Sequence, residues 1–172
     1  MLRILLQEIF VVEDCVKVGF SGWTGTFTTG TDTYNYIQIT GTGVSPNVTL
    51  PSAFKVNYKF KPVGTDQINS SNSGLWNIGA NTNNGVLIGH EATDKRLRIY
   101  SRSNGTNTVQ RTENSVYTHN QWNDAELTYN NGSISITVGG KTISYTLSTA
   151  TIMQFYNSYS NLRIAEWKLK AL

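Results

Sequence analysis

Five polar and aromatic residues, in two stretches of the sequence, could recognise a hydroxyl-rich ligand such as a sugar: Arg98, Tyr100, Tyr156, Asn157 and Tyr159. A sugar presents an apolar C–H face and a rim of hydroxyls, so its sites combine an aromatic ring with Asn, Asp, Arg or backbone donors. We predict that these five residues lie close together and bind the ligand. Two alternatives stay open: the tyrosine stretch is a hydrophobic plug, or the arginine stretch is a solvated face.

The acidic residues are poorly placed for catalysis on a sugar. Glycoside hydrolysis needs two carboxyl groups about 5–10 Å apart. The closest pairs in the sequence are Glu91 with Asp94 and Asp124 with Glu126. The first pair crosses a predicted turn, and the second has no third acid beside it. We therefore predict no catalytic residue and interpret these acids as surface groups.

Nucleophile and metal chemistry have little support in the sequence. Cys15 is the single cysteine and has no histidine nearby, and His90 is interpreted as structural. One cysteine and two histidines exclude a cysteine-based zinc cluster and leave little room for a histidine site. Asp32, Asp66 and Asp94 occupy loops that could contribute to a calcium site, but each is isolated. We predict no cofactor and no metal ligand, with calcium left open.

The composition indicates β-structure. The 172 residues include 22 Thr, 18 Asn, 15 Ser and 15 Gly, which suit strands and turns, whereas helix-forming residues are scarce. A helical bundle and a doubly wound α/β fold are therefore excluded. The net charge of +3 comes from scattered cations, so no nucleic-acid partner is expected. No apolar stretch reaches the roughly 18 residues of a membrane span, and the apolar start lacks a signal-peptide cleavage site.

Alternating residues predict where the candidate site lies on its strand. In residues 96–102, Leu97 and Ile99 occupy one face, so Arg98 and Tyr100 must point away from the core. A second clean alternation, in residues 53–61, predicts a half-buried antiparallel strand. The buried face of this strand is predicted to carry Phe54, Val56, Tyr58 and Phe60. The solvent-facing side is predicted to carry Lys55, Asn57, Lys59 and Lys61. Three tryptophans at apolar strand positions are also predicted to be core: Trp76, Trp122 and Trp167.

Turn signals divide the rest of the chain into short strands. Asn131-Gly132 and Gly139-Gly140 predict two-residue hairpin turns, and hence a three-stranded meander within residues 122–147. Residues 103–118 carry only a weak strand signal, residues 148–160 are predicted to be a connection, and residues 162–169 a last strand. Ten to twelve short strands without helices indicate a two-sheet sandwich or a barrel.

The first 18 residues differ in composition from the rest. Leu2, Leu5, Ile9, Val12 and Val16 recur every three or four residues, which is an apolar seam of about two heptads. The β-branched residues favour a strand, and a short oligomerisation helix is the alternative. We predict an N-terminal segment over residues 1–18, followed by one domain over residues 19–172.

Four segments resemble the concanavalin A-like lectin/glucanase superfamily, in particular its LamG-type members: residues 54–62, residues 76–89, residues 122–136 and residues 162–169. The resemblance implies an all-β jelly roll of two antiparallel sheets, with ligand contacts from the concave sheet and the loops over it. On that reading the five candidate residues lie at the concave face or its rim.

The resemblance also implies a function. Family members are mostly carbohydrate-binding or adhesive modules, and small versions occur in viral tail and fibre proteins. We expect a non-catalytic module that binds a cell-surface or extracellular glycan, located in a virion or at a cell surface. A structural virion domain that forms a homo-oligomer through residues 1–18 is the first alternative, and a glycoside hydrolase is the second.

Overall fold

The computed structural model describes residues 24–44, 47–63, 74–91, 95–157 and 162–172, which form thirteen β-strands and no α-helix. Within these ranges the chain has no helix long and apolar enough to cross a membrane. In chain order the strands are β1 (Thr24–Thr31), β2 (Asn35–Val44), β3 (Val48–Thr49), β4 (Phe54–Pro62), β5 (Gly74–Asn81), β6 (Asn84–Glu91), β7 (Arg96–Ser103), β8 (Thr106–Glu113), β9 (Asn123–Asn130), β10 (Ser133–Val138), β11 (Lys141–Thr146), β12 (Ile152–Asn157) and β13 (Leu162–Ala171).

The strands form two antiparallel sheets. The first sheet has the neighbour order β11-β10-β9-β4-β13-β2-β1, and the second has the order β8-β7-β6-β5-β12-β3. Each sheet turns one face to a shared core and the other face outward, and "outer face" below means the side away from that core. The prediction of an all-β, two-sheet jelly-roll sandwich is confirmed.

Strand β12 belongs to both sheets. Its first part pairs with β5, where Phe155 lies opposite Trp76. Its last two residues, Tyr156 and Asn157, pair instead with Val44 and Gly43 of β2 in the first sheet. The expectation that residues 148–160 are only a connection is therefore wrong. The backbone of this segment completes hydrogen bonding on the open edges of both β5 and β2, which a local sequence pattern does not reveal.

Aromatic side chains from both sheets meet in the core. The predicted inward face of β4 is confirmed, because Phe54, Val56, Tyr58 and Phe60 are all buried. Trp76 and Trp167 are buried as predicted, with ring centroids 6.1 Å apart. Burying such rings removes large apolar areas from water, and each Å² of buried apolar surface stabilises the fold by about 25 cal/mol.

His90 is a buried core residue. Its ring stacks on Phe60 with centroids 4.1 Å apart, and its Nε2 lies 2.7 Å from the Tyr58 hydroxyl oxygen. Burial lowers the pKa of His90 to about 3, so the imidazole is neutral at physiological pH. The structural interpretation of His90 agrees with this environment.

The predicted meander forms through its two hairpin turns. Asn131 and Gly132 have φ angles of 48° and 75°, and Gly139 and Gly140 have φ angles of 56° and 75°. Both residues of each turn thus have positive φ, as the favoured two-residue hairpin turns require. Residues 103–118, which carry only a weak strand signal in the sequence, contain a full strand, β8. This strand pairs along β7 and is the edge strand on that side of the second sheet.

Several predictions fall on residues outside the described ranges. The segment 1–18, with its strand and helix alternatives, lies outside them, as do Cys15, Asp66, Asp94 and Tyr159. The domain boundary after residue 18 therefore stays a prediction.

Candidate functional site

A row of side-chain positions crosses the outer face of the second sheet. Gln154 of β12 lies opposite Asn77 of β5, Asn77 opposite Leu87 of β6, and Leu87 opposite Tyr100 of β7. Leu87 and Tyr100 are buried but do not belong to the core between the sheets. The centre of this row is therefore apolar, with the polar residues Gln154 and Asn77 on the β12 side of it.

Arg98 and Tyr100 lie side by side on this face. They are two residues apart on β7, and an Nη of Arg98 donates a hydrogen bond of 3.3 Å to the Tyr100 hydroxyl. Arg98 is half-buried, whereas Tyr100 is only 2% exposed. The alternative that this stretch is only a solvated face is therefore wrong for Tyr100. Its neighbours, Leu87 in register and Arg98 at its hydroxyl, account for part of its burial, and its ring is not an open stacking platform.

Asn77 and Arg102, on the same face, each have a buried polar atom without a hydrogen-bond partner among the described residues. One is Oδ1 of Asn77, whose amide nitrogen donates to the Thr82 carbonyl oxygen at 2.8 Å. The other is Nε of Arg102, whose Nη1 donates to Oδ1 of Asn107 at 3.2 Å. Buried polar groups are nearly always hydrogen-bonded, so these two atoms are candidates for ligand contacts.

The other three predicted site residues are not brought into contact with Arg98 by the strand pairing. Tyr156 and Asn157 lie on β12, which is separated from β7 by β5 and β6. Three strand spacings correspond to about 14 Å between the two backbones. Tyr159 lies outside the described residues. The clustering of all five residues around one ligand stays a prediction, and such a ligand must span this distance.

A polar and aromatic cluster, which sequence reasoning missed, lies on the outer face of the first sheet. Asp32, in the turn between β1 and β2, accepts hydrogen bonds from Arg163 at 2.8 Å, from Lys61 at 3.0 Å and from Nε1 of Trp122 at 2.9 Å. The Tyr34 ring contacts the Trp122 ring edge-on, with centroids 5.2 Å apart. Trp122 was predicted to be core, and this is wrong, since it is half-buried on the outside of the sheet.

This Asp32 cluster satisfies its own charges. Partial burial acts to raise the pKa of the Asp32 carboxyl, but the hydrogen bonds from Lys61, Trp122 and the Tyr34 amide outweigh it and hold that pKa well below its usual range. The Arg163 guanidinium also lies 4.2 Å from the centre of the Tyr36 ring. The cations and the carboxylate already have partners, so the cluster positions the β1–β2 turn.

Next to this cluster, a groove of about 480 Å³ opens on the same outer face. Asn57 and Lys59 of β4 line it, together with Glu166 and Lys168 of β13. On the β9 side the walls are Asp124 and Glu126, and the β10–β11 turn forms the remaining rim.

Of the acids considered for catalysis, Asp124 and Glu126 are paired with lysines, and Asp94 lies outside the described residues. Asp124 forms an ion pair with Lys59, and this hydrogen bond raises the pKa of the lysine. Glu126 forms an ion pair with Lys55 at 3.0 Å. Both acids are exposed, as the surface interpretation expects. Within the described ranges, no group of three His, Cys, Asp or Glu residues could hold a metal ion.

The missed residues carried only weak signals in the sequence. Asp32 appeared only as an isolated loop acid, and Trp122 as one apolar strand position. Glu166 and Lys168 reach the groove because β13 has a bulge between Ala165 and Lys168, where Glu166 adopts a positive φ of 50°. Simple alternation cannot predict such a bulge.

No protein-family model and no curated protein matches the chain. Among solved structures, the carbohydrate binding module CBM66 from Bacillus subtilis is 12% identical, with a TM-score of 0.61 over 87% of this chain and 96% of that chain. The Ca²⁺- and mannose-bound exoplasmic domain of VIP36 is 12% identical, with a TM-score of 0.62 over 87% and 83%. The alginate lyase vAL-1 from Chlorella virus is 11% identical, with a TM-score of 0.68 over 96% and 99%. At these identities the likeness shows the fold alone.

Proposed function

We propose that this chain is a non-catalytic carbohydrate-binding module whose site lies on the outer face of the second sheet. The observation that carries the proposal is the juxtaposition, on one face, of the hydrogen-bonded Arg98–Tyr100 pair and the unsatisfied acceptor of Asn77. An arginine donor and an amide acceptor on one face match the hydroxyl rim of a sugar.

The structural neighbours support this proposal at the level of fold. Two of them, a carbohydrate binding module and a domain solved with mannose bound, have carbohydrate ligands in their names. Asp124 and Glu126, one of the two acid pairs considered for hydrolysis, are ion-paired with lysines and exposed, which favours binding over cleavage. A single site of this kind should bind with millimolar to micromolar affinity, or about −4 to −8 kcal/mol.

Arg98→Met tests the proposal directly. Ligands are first identified on a glycan array, and affinities are then measured by calorimetry for the wild type and the variant. We expect Arg98→Met to weaken binding about tenfold, because the loss of one charged hydrogen bond has an effect of that size. Arg111→Met is the matched control, since Arg111 is an exposed arginine on the neighbouring strand β8. Equal affinities for the two folded variants, or an empty array, would refute the proposal.

The predicted contribution of the β12 end is tested separately. Replacing Tyr156 and Tyr159 by alanine should weaken glycan binding and leave the melting temperature nearly unchanged. If the double variant unfolds while binding per folded molecule is intact, these tyrosines are structural and the site is confined to β5–β7.

A second candidate function is cleavage of an acidic polysaccharide by elimination. In that reaction a base removes the proton on the carbon that bears the carboxyl group. The glycosidic C–O bond on the neighbouring carbon breaks, a C=C bond forms between the two carbons, and the leaving oxygen takes up a proton. Arg98 could hold the carboxylate and Tyr100 could exchange the proton, since their side chains are hydrogen-bonded. The near-complete burial of Tyr100 favours binding instead. Ultraviolet absorbance of an unsaturated product from alginate, lost in Tyr100→Phe, would establish the lyase, and reducing sugar lost in Glu126→Gln would establish a hydrolase.

The location in a virion tail or fibre, or at a cell surface, is a finer proposal that rests on the sequence resemblance. It includes a homo-oligomer formed through residues 1–18. Light scattering on the full chain and on a chain without residues 1–18 tests the oligomer. A monomeric mass for both chains would remove the main support for the assembly alternative.

A further inference from the structure

We propose a second carbohydrate site, for neutral hexose oligosaccharides, in the groove on the outer face of the first sheet. This site is on the opposite side of the sandwich from the Arg98 face and does not depend on it. Its volume of about 480 Å³ falls within the range of small-ligand sites, about 300–1,000 Å³.

Three polar side chains of the groove are available for hydrogen bonds, and one of them, Glu166, also interacts electrostatically with Lys59. Asn57, Glu166 and Lys168 line the groove and make no hydrogen bond or ion pair with any residue that the structure describes. Asn57 offers a donor and an acceptor, Glu166 offers acceptors, and Lys168 offers donors. The three groups come from two adjacent strands, because Lys168 lies opposite Asn57 in the register of β13 and β4. A ligand with many hydroxyls can satisfy all three at once.

The neighbouring charges make the groove nearly neutral. Lys59 is paired with Asp124, and Lys55 is paired with Glu126, so each wall charge is compensated. The remaining pair of opposite charges, Glu166 and Lys168, also cancels. An anionic sugar would meet three carboxylates, and a cationic ligand would meet two lysines. The balance therefore favours a neutral sugar whose hydroxyls both donate and accept.

The hairpin turn between β10 and β11 forms one rim of the groove. Gly139 and Gly140 line the groove and carry no side chains that could fill it. Gly139 lies close to the Val116 backbone, since an added Cβ would lie 2.1 Å from the carbonyl oxygen of Val116. The glycines therefore leave this side of the groove free of side chains.

The test is a titration of the full chain, followed by amide nuclear magnetic resonance, with three probes: hexasaccharides of glucose, mannose and galactose. We expect at least one probe to shift the backbone amides of Gly139, Gly140 and Lys168 and the side-chain amide of Asn57. The Asn57→Ala/Lys168→Ala double variant should weaken this binding about tenfold. Lys170→Ala is the matched control, because Lys170 is an exposed lysine on the same strand outside the groove.

Each outcome assigns one site. Groove shifts that persist in Arg98→Met but weaken in the double variant support the second site, whatever happens at the first. Shifts confined to the amides of Arg98 and Arg102 overturn the groove proposal and leave the first site in place. If none of the three probes shifts the groove amides, the groove proposal is wrong. It is also wrong if the double variant and Lys170→Ala bind with equal affinity. A hexagalacturonate that binds the groove more tightly than every neutral probe would refute the proposed ligand class.

Discussion

Replacing the buried Tyr58–His90 pair by two phenylalanines should remove a large part of the protein's sensitivity to acid. His90 has a pKa of about 3 in the folded chain because burial disfavours its charged form. In the unfolded chain its pKa returns to about 6.5. Between these two values the unfolded state binds one more proton than the folded state, so the free energy of unfolding falls as the pH falls.

The expected magnitude follows from this difference. Between the two pKa values, the free energy of unfolding changes by up to about 1.4 kcal/mol per pH unit. Integration from pH 6 to pH 4 gives a loss of about 2.5 kcal/mol in the free energy of unfolding. At pH 7 the Tyr58→Phe/His90→Phe variant should be less stable than the wild type by about 1–2 kcal/mol. Both partners of the 2.7 Å contact are replaced by apolar rings, but Trp76 loses its hydrogen bond with the Tyr58 hydroxyl. The single variant His90→Phe should be worse, since it leaves the Tyr58 hydroxyl buried without that acceptor.

Urea denaturation at pH 4, 5, 6 and 7 measures the effect. Carboxylates contribute equally to the wild type and the double variant, so the difference between their free energies of unfolding isolates His90. His119→Phe serves as the control, because it leaves the buried pair intact. A difference that stays constant from pH 4 to pH 7 would show that His90 is not held neutral in the core, and the reasoning would fail.

Three further changes have defined outcomes. Asp32→Asn should lower the melting temperature and flatten its acid dependence below about pH 4, since the folded-state pKa is depressed and the stabilisation is lost as the carboxylate is protonated; an unchanged acid limb in calorimetry would contradict this. Gly139→Ala should destabilise far more than Gly140→Ala, by at least about 2 against about 1 kcal/mol, because only the first places a Cβ against backbone, 2.1 Å from an oxygen of Val116; equal urea midpoints would contradict it. Glu166→Gly should stabilise by about 0.5–1 kcal/mol, since φ is 50° there, while weakening sugar binding in the groove.

Local patterns predicted those elements whose environment is set by near neighbours in the sequence. The alternation around Tyr58 is read correctly because burial repeats every second residue along a strand. The Asn131-Gly132 turn is read correctly because its positive φ angles depend on the turn residues themselves. Fold class follows from many such local signals acting together.

The side-chain contacts on the outer faces of the sheets could not be predicted in this way, because they are made with residues that are distant in the sequence. Trp122 lies outside the core, where its Nε1 donates a hydrogen bond to Asp32, which is ninety residues earlier in the chain. Strand β12 is recognisable only once the open edges of β5 and β2 are known. Tyr100 alternates as expected, but its burial depends on what surrounds it in space rather than in sequence.

The position of β13 constrains when the protein can fold during synthesis. This strand lies between β2 and β4, so the middle of the first sheet is complete only after residue 171 has left the ribosome. Until then the nascent chain has hydrogen-bonding edges on β2 and β4 that are open to neighbouring chains on the same polysome. Slow translation would prolong this exposure rather than help folding. We expect the yield of folded protein to respond to chaperones that shield such edges more than to codon choice.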